Sequence, residues 1–407
     1  MPATTHSTRS GACERGAIMI QVGITILVLS AFAMFVVDYG VMWVSRNQAQ
    51  NSADSGALAG AIALALDSFT DHSDTGPAKV AATEFAQSNY VWGEQPDVNI
   101  TTDVRFYSDD PASFPALCSG DDCVRVDVYR NQTRGNPLPT FFGWLVGVQD
   151  QGVRATAIAQ AGAANASKCL KPWAVLDKWG ESDGPWTSDS TYDPMTMPED
   201  WYQAPSGSDP GTSYTLKKDL GVRIKLKVGD PGNSKEVFGA GWFSPIDLGG
   251  TGGDVYRDNI SGCADGIYAI GSTLSVENGN MIGPTKQGVD DLTALDPNAK
   301  WDGTRVIDSC VGPPYTCATK GYQASPRIVA IPVINTQDAY DQVHNGDKTQ
   351  GAGNMTVTVV AILGFFVEGM DGNDVVGYLC TKPDLLVSDG GSVAPGAGFL
   401  TAIRLVR

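Results

Sequence analysis

Histidine is almost missing from this chain: there are three, His6, His72 and His344, in 407 residues, and none is spaced with another His or with Cys as a metal site requires. The side chain that most often moves protons near neutral pH is therefore scarce, which argues against a His-based hydrolase. Basic residues are few as well. Lys and Arg number 28 against 45 Asp and Glu, for a net charge of −17. Such a chain repels phosphate backbones, which argues against a nucleic-acid partner. There is no C-x-x-C. The glycine-rich stretch 249–259, GGTGGDVYRDN, lacks the Lys-Ser/Thr of a phosphate-binding loop and is expected to be a plain loop.

What is present begins with an apolar run. Residues 18–37, IMIQVGITILVLSAFAMFVV, carry no charge. At 1.5 Å per residue a helix here is about 30 Å long, the thickness of a bilayer's hydrocarbon core. Gln21, Thr25 and Ser30 are tolerable interruptions, Asp38 marks the exit, and Tyr39 and Trp43 follow at interface depth. Arg9 and Arg15 precede the run, so the positive-inside bias places the N-terminus in the cytoplasm and the rest outside. The run is longer than a signal-peptide core and no A-x-A site closes it, so a retained anchor is expected.

Immediately afterwards the side chains become very small. Ala49, Ala53, Ala57, Ala61 and Ala65 recur every fourth residue, beside a second row of Ser52, Gly56, Gly60 and Leu64. In a helix these rows are two adjacent low ridges, against which another backbone can approach closely. Gly56 and Gly60 each weaken the helix by about 1 kcal/mol relative to Ala, which packing must offset. The chain's own domain or a neighbouring subunit could fill that role. Ala53, Gly56, Ala57 and Gly60 are assigned as the helix-packing interface.

The stretch ERGAIMIQVGITILVLSAFAMFVVDYGVMWVSRNQAQNSADSGALAGA, residues 14–61, resembles the TadG-like N-terminal region of Flp/Tad pilus-assembly proteins. Arg15-Gly16 ahead of the run, Val37-Asp38 followed by Gly40 at its end, and QNSADSGALAGA carry the likeness. It continues through PTFFGWLVG at 139–147 and VRATAIAQA at 153–161, to about residue 163. In relatives cut by prepilin peptidase a Glu stands five residues after the Gly; here Gly16 is followed at that offset by Gln21, which again favours a retained anchor. GPTKQG, DPNAKW and SPRIVAIPV resemble longer members of the same group.

The expected fold class is α+β. A cytoplasmic end (1–16) leads to one transmembrane helix (17–44), which continues into a pilin-like α/β module (45–165). A β-rich extracytoplasmic domain (168–407) follows. In the module, Pro77 opens a second helix. CVRVDVYR alternates Val124, Val126 and Val128 with Arg125, Asp127 and Tyr129. Beyond it, GVRIKLKVGD, RIVAIPVI, DVVGYLC and FLTAIRLV read as strands, and the nearly all-apolar 357–367 as a central strand covered on both faces.

Eight cysteines are present, Cys13 on the cytoplasmic side and seven outside, where oxidation is permitted. Cys118–Cys123 and Cys310–Cys317 bracket short loops. Of Cys169, Cys263 and Cys380, the expected pair is Cys169–Cys380, tying first strand to last, with Cys169–Cys263 the alternative. Glu368, Asp371, Asn373 and Asp374 gather oxygens on a turn that could suit Ca²⁺ but is better read as a hairpin. Asp254, Asp258 and Glu368 are the carboxylates a surface hydrolase would need, though no spacing selects them.

The resemblance implies a non-catalytic, membrane-anchored structural or assembly component of a Tad pilus in a bacterial inner membrane, needing no cofactor. Its partners would be the membrane and other pilus-assembly or pilin subunits. The alternative is an envelope-anchored adhesin or carbohydrate-binding protein using Trp173, Trp179, Trp186, Trp201 and Trp242 as stacking faces.

Overall fold

One helix, α1 (Ala12–Leu66), runs 55 residues without a break. No proline interrupts it, and its length is about 80 Å. Its two halves sit in different surroundings. Ile18, Leu27, Phe32 and Phe35 project outward, with Leu27 71% exposed, whereas Ala49, Ala53, Ala57, Ala61 and Ala65 are fully buried. In this computed structural model the described residues are 12–67, 69–181, 184–197, 200–207, 209–277, 279–311, 316–317, 325–344, 355–388, 390–393 and 398–406.

The buried half of α1 lies with α2 (Pro77–Ser88) on one face of a sheet. That sheet starts with β1 (Val104–Phe106), β2 (Cys123–Arg130) and β3 (Val153–Ala163), paired antiparallel in that order. Val124, Val126 and Val128 face the helices, as their alternation requires. The other face is not simply solvated, since the Asp127 side chain is fully buried there. Arg105 Nη2 (2.7 Å), Arg125 Nε (3.1 Å), Arg154 Nη2 (3.0 Å) and the Thr156 hydroxyl all donate to it. Burial alone would raise this carboxyl; the hydrogen bonds from Arg125, Thr156, Arg105 and Arg154 outweigh it and bring its pKa down to about 2. A depressed folded-state pKa gives stability that is present above the unfolded value and is lost as pH falls from about 4 towards 2, here about 2 kcal/mol. Asp127→Asn is expected to remove that acid limb from a plot of denaturation midpoint against pH; an unchanged limb would contradict the assignment.

The second half of the chain closes a barrel. Its strands are β4 (Trp173–Leu176), β5 (Arg223–Val228) and β6 (Trp242–Pro245), then, after α3 (Gly253–Ser261), β7 (Thr273–Ser275) and α4 (Ile282–Ala294), β8 (Ile328–Ile334). They are followed by α5 (Thr336–His344), β9 (Thr356–Asp371) and β10 (Asp374–Cys380). The pairing runs β9-β8-β4-β6-β5-β10 and returns to β9, with β7 added beside the start of β9. Alternate residues of all six strands, among them Val175, Leu226, Phe243, Ile331, Phe365 and Val375, form one interior cluster. The apolar run 357–367 is the hub of this sheet, hydrogen-bonded along both edges.

Two helices here depart from the sequence expectation. The stretch 249–259 leaves its glycines to form α3, because Tyr256 and Ile260, four apart, both bury against the barrel. In α4, Thr285, Val289 and Leu292 repeat the pattern at helical spacing. After β11 (Lys382–Pro383) the chain returns to the first module, where β12 (Leu400–Val406) pairs antiparallel with β3 from Thr401↔Ala163 to Val406↔Ile158. The first sheet is therefore β1-β2-β3-β12-β11, with strands drawn from both the 45–165 and the 168–407 stretches. The Thr381 hydroxyl donates to Ala65 O in the last turn of α1, and Arg305 Nη1 binds the buried Asp67 at 2.7 Å.

Cys118 is joined to Cys123, and Cys169 to Cys263 rather than to Cys380. The bond ties the residues before β4 to the end of α3. Cys380 turns instead into a buried cluster with Ala299, Ile328 and Phe366, where burial pushes its thiol up to about 12. Cys310 is disulfide-bonded; its Cα partner across a two-stranded ladder is Cys317, whose side chain lies outside the described residues.

Candidate functional site

The exposed half of α1 is the most unusual surface of the molecule. Its most apolar 18-residue stretch has none of its residues buried. Large side chains point outward along it, including Ile18, Leu27, Phe32 and Phe35. A helix apolar all round must be buried in protein or in lipid. This one is long and apolar enough to cross a membrane, and the fold leaves it uncovered.

Asp38 ends that run and is buried, against the segment 139–148. One of its carboxylate oxygens accepts the backbone N–H of Phe141 (2.7 Å); the other accepts those of Phe142 (3.1 Å) and Gly143 (2.7 Å). These amides open a single 3₁₀ turn, Gly143–Val146, whose first N–H groups lack partners within the turn. The carboxylate supplies the partners and the negative charge favoured at such an end. Gly147, at φ +85°, then reverses the chain, and the Val148 N–H returns to Gly143 O at 3.0 Å. Val37-Asp38 and PTFFGWLVG, two motifs about a hundred residues apart in the sequence, are thus two halves of one contact. In the sequence Asp38 marks the exit of the apolar run and belongs to the family-like Val37-Asp38 motif, and neither feature points to this partner.

Asp38→Ala is expected to release this loop. Three hydrogen bonds to a carboxylate vanish, leaving buried N–H groups unpaired, at about 2–4 kcal/mol of local stability. Proteolytic nicking within 139–148 should rise strongly while the barrel stays resistant; equal nicking in both proteins would contradict the clasp.

The assigned interface Ala53, Gly56, Ala57 and Gly60 is used inside the chain. All four are buried. A Cβ added at Gly56 would lie 2.7 Å from Ala82 O and 2.8 Å from Ala86 Cβ, both on α2. One at Gly60 would lie 2.9 Å from Val124 Cγ1 on β2 and 3.0 Å from Ala82 Cβ. The Ser52 hydroxyl donates to Ala86 O at 2.7 Å across the same crossing. Within the chain this face seats the second helix and the sheet, one of the two partners the sequence left open.

The remaining candidates do not assemble. Glu368 pairs with Arg223 Nε (2.8 Å) and Asp371 with Lys225 Nζ (2.6 Å), both on β5. Asp371 and Asp374 are opposite partners at the β9–β10 turn, with Asn373 between them. These carboxylates are paired with Arg223 and Lys225, and among the described residues no group of three or more His, Cys, Asp or Glu is placed to hold a metal. Asp254 and Asp258 lie on α3, while Glu368 is engaged by Arg223. The tryptophans are plugs rather than a stacking face: Trp173, Trp179 and Trp242 are buried and Trp186 packs edge-on to Trp179 and Tyr214. Of the five, Trp201 is the exposed one.

Residues 16–63 match the family model described as putative Flp pilus-assembly TadE/G-like. The match covers most of α1, its exposed and its embedded half together, and stops short of the 139–163 segments. It supports a role related to the Tad/Flp pilus. No curated protein and no solved structure matches the chain.

Proposed function

We propose that this chain is a membrane-anchored structural or assembly component of a Tad (Flp) pilus, without catalysis. One observation carries the proposal: the matched segment is a single rod, bare and apolar in its first half and embedded in a folded module in its second. The bare half spans the inner membrane of a bacterium with the N-terminus in the cytoplasm, following the Arg9/Arg15 bias. The pilin-like helix-on-sheet module and the barrel then stand outside, held to the rod by Thr381 and Arg305. Its partners are the bilayer and other pilus-assembly or pilin subunits. The filling of the Gly56/Gly60 ridge from within favours other surfaces for subunit contacts. The adhesin reading loses its support with the burial of the tryptophans.

The test is genetic and microscopic. Deleting the gene is expected to abolish or sharply reduce surface pili, with restoration by the full chain but not by residues 45–407 alone. Normal numbers of firmly attached pili in the deletion strain would reject the function.

A further inference from the structure

We propose that the loop 139–148 is a second membrane-contacting element, seated in the headgroup–acyl boundary where α1 leaves the bilayer. The inference rests on the anchor reading above and names the surface that this end of the module meets.

Four observations carry it. First, the loop is held at a fixed depth. Asp38 grips Phe141, Phe142 and Gly143 one residue beyond the apolar run, so the loop lies level with the run's end. Second, its outward side chains are apolar: Phe141 is 49%, Trp144 63% and Val148 48% exposed. No charged residue occurs from Leu138 to Gln149. Third, α1 carries a matching ladder at the same level. Phe35, Tyr39 and Trp43 are exposed and stack in succession, at 5.3 and 6.4 Å between ring centroids. Aromatic rings concentrate at this depth of a bilayer because one end is apolar and the other wet. Fourth, the polar groups facing the boundary are paired. The Asp38 carboxylate holds three amides, Trp144 Nε1 donates to Phe141 O (3.0 Å), and the Thr140 hydroxyl donates to Val148 O (3.1 Å). Irregular backbone reaches the edge of hydrocarbon only when its hydrogen bonds are satisfied internally, and here the N–H groups of Phe141, Phe142, Gly143, Gly147 and Val148 all have partners within the protein.

The occupant is lipid rather than a second copy of the chain. None of the described side chains in the most apolar stretch of the run is buried, its large apolar side chains are exposed around the helix with no preferred stripe for a protein neighbour, and the loop is tied to the end of the run through Asp38. A loop of this kind dips about 5–10 Å into the boundary. Two contacts, helix and loop, would fix the tilt of the module against the membrane where a helix alone leaves it free.

The test uses the full chain in phosphatidylcholine/phosphatidylglycerol vesicles, with Cys13→Ser as background and single nitroxides at Leu27→Cys, Val148→Cys or Phe85→Cys. Collision rates with oxygen and with a water-soluble nickel chelate report depth. The expected order is Leu27 deepest, Val148 shallow but favouring oxygen several-fold over Phe85, which lies in water. Asp38→Ala should return the Val148 position towards the Phe85 value with Leu27 unchanged. A Val148 position as aqueous as Phe85, with Leu27 deep, overturns the loop contact and leaves the anchor standing. Val148 shielded from both reagents, with shielding lost on dilution, assigns the patch to a second copy and also overturns it. An aqueous Leu27 rejects the anchor and the loop contact together.

Discussion

Gly56→Leu is expected to unfold the helix-on-sheet module, even though the substitution improves the intrinsic helix propensity of α1 by close to 1 kcal/mol. A Cβ at this position meets the carbonyl oxygen of Ala82 at 2.7 Å and Ala86 Cβ at 2.8 Å. The oxygen belongs to the backbone of α2 and cannot rotate away. Forcing the helices apart would strip the alanines of both helices from contact, at about 3 kcal/mol or more. The alanine variants separate the terms. Gly56→Ala still meets the rigid oxygen and should destabilise by about 1–2 kcal/mol. Gly60→Ala meets Val124 Cγ1 at 2.9 Å, which a rotamer change can move, and Ala82 Cβ at 3.0 Å, which moves only with the α2 backbone but is less close than the oxygen facing Gly56, so its propensity gain offsets more of the clash. Thermal denaturation of the three variants in detergent, read by near-ultraviolet circular dichroism, gives the order. If all three keep wild-type midpoints yet fail to assemble pili, the ridge faces another subunit after all.

The second large effect comes from the other end of the chain. Removing residues 400–407 should destabilise the module built from residues 45–163, although it touches none of them covalently. The deletion takes away the antiparallel partner of β3 from Ile158 to Ala163. It also removes Ile403 and Leu405, which pack on the α1–α2–sheet core, and Val406, which packs on the Cys118–Cys123 pair. Burial of these side chains contributes about 3 kcal/mol or more, a large part of the margin of a typical domain. Limited proteolysis should then cut within α2 and β1–β3 first. A truncated chain whose module resists protease as the full chain does would show that β12 is dispensable to it.

These two predictions mark where the sequence stops being informative. The apolar run, the four-residue ladder of small side chains and the period-two strands are local patterns, and local physics shapes them directly. Which backbone fills a low ridge is a tertiary fact: Ala82 and Ala86 lie in an ordinary-looking alanine-rich helix that nothing in the ladder points to. FLTAIRLV reads as a strand, but its alternation does not say whether it pairs with β10 nearby or with β3 across the molecule. Asp127 stands at a nominally outward position and is buried because Arg105, Arg125 and Arg154 converge on it from three strands. The glycines before α3 masked its Tyr256/Ile260 spacing. Cys380 looked available for a bond because its neighbours on β10 gave no sign of the pocket it occupies. Asp38 was visible as a lone charge at the end of a greasy segment, whereas its partner loop could be identified only by folding the chain.

The central claim is that one helix crosses the bilayer and enters the folded module without leaving the chain's mature form. Labelling with a membrane-impermeant maleimide tests it directly, using spheroplasts whose full-length protein carries Phe85→Cys on α2. The native Cys13 is the reporter for the inner side, and the buried Cys380 stays silent until denaturation. The expected result is labelling at position 85 in intact spheroplasts, with Cys13 labelled only after lysis and peptide mapping still recovering residues 12–37. Labelling of Cys13 from outside while position 85 is protected, or a mature polypeptide lacking residues 12–37, would contradict it.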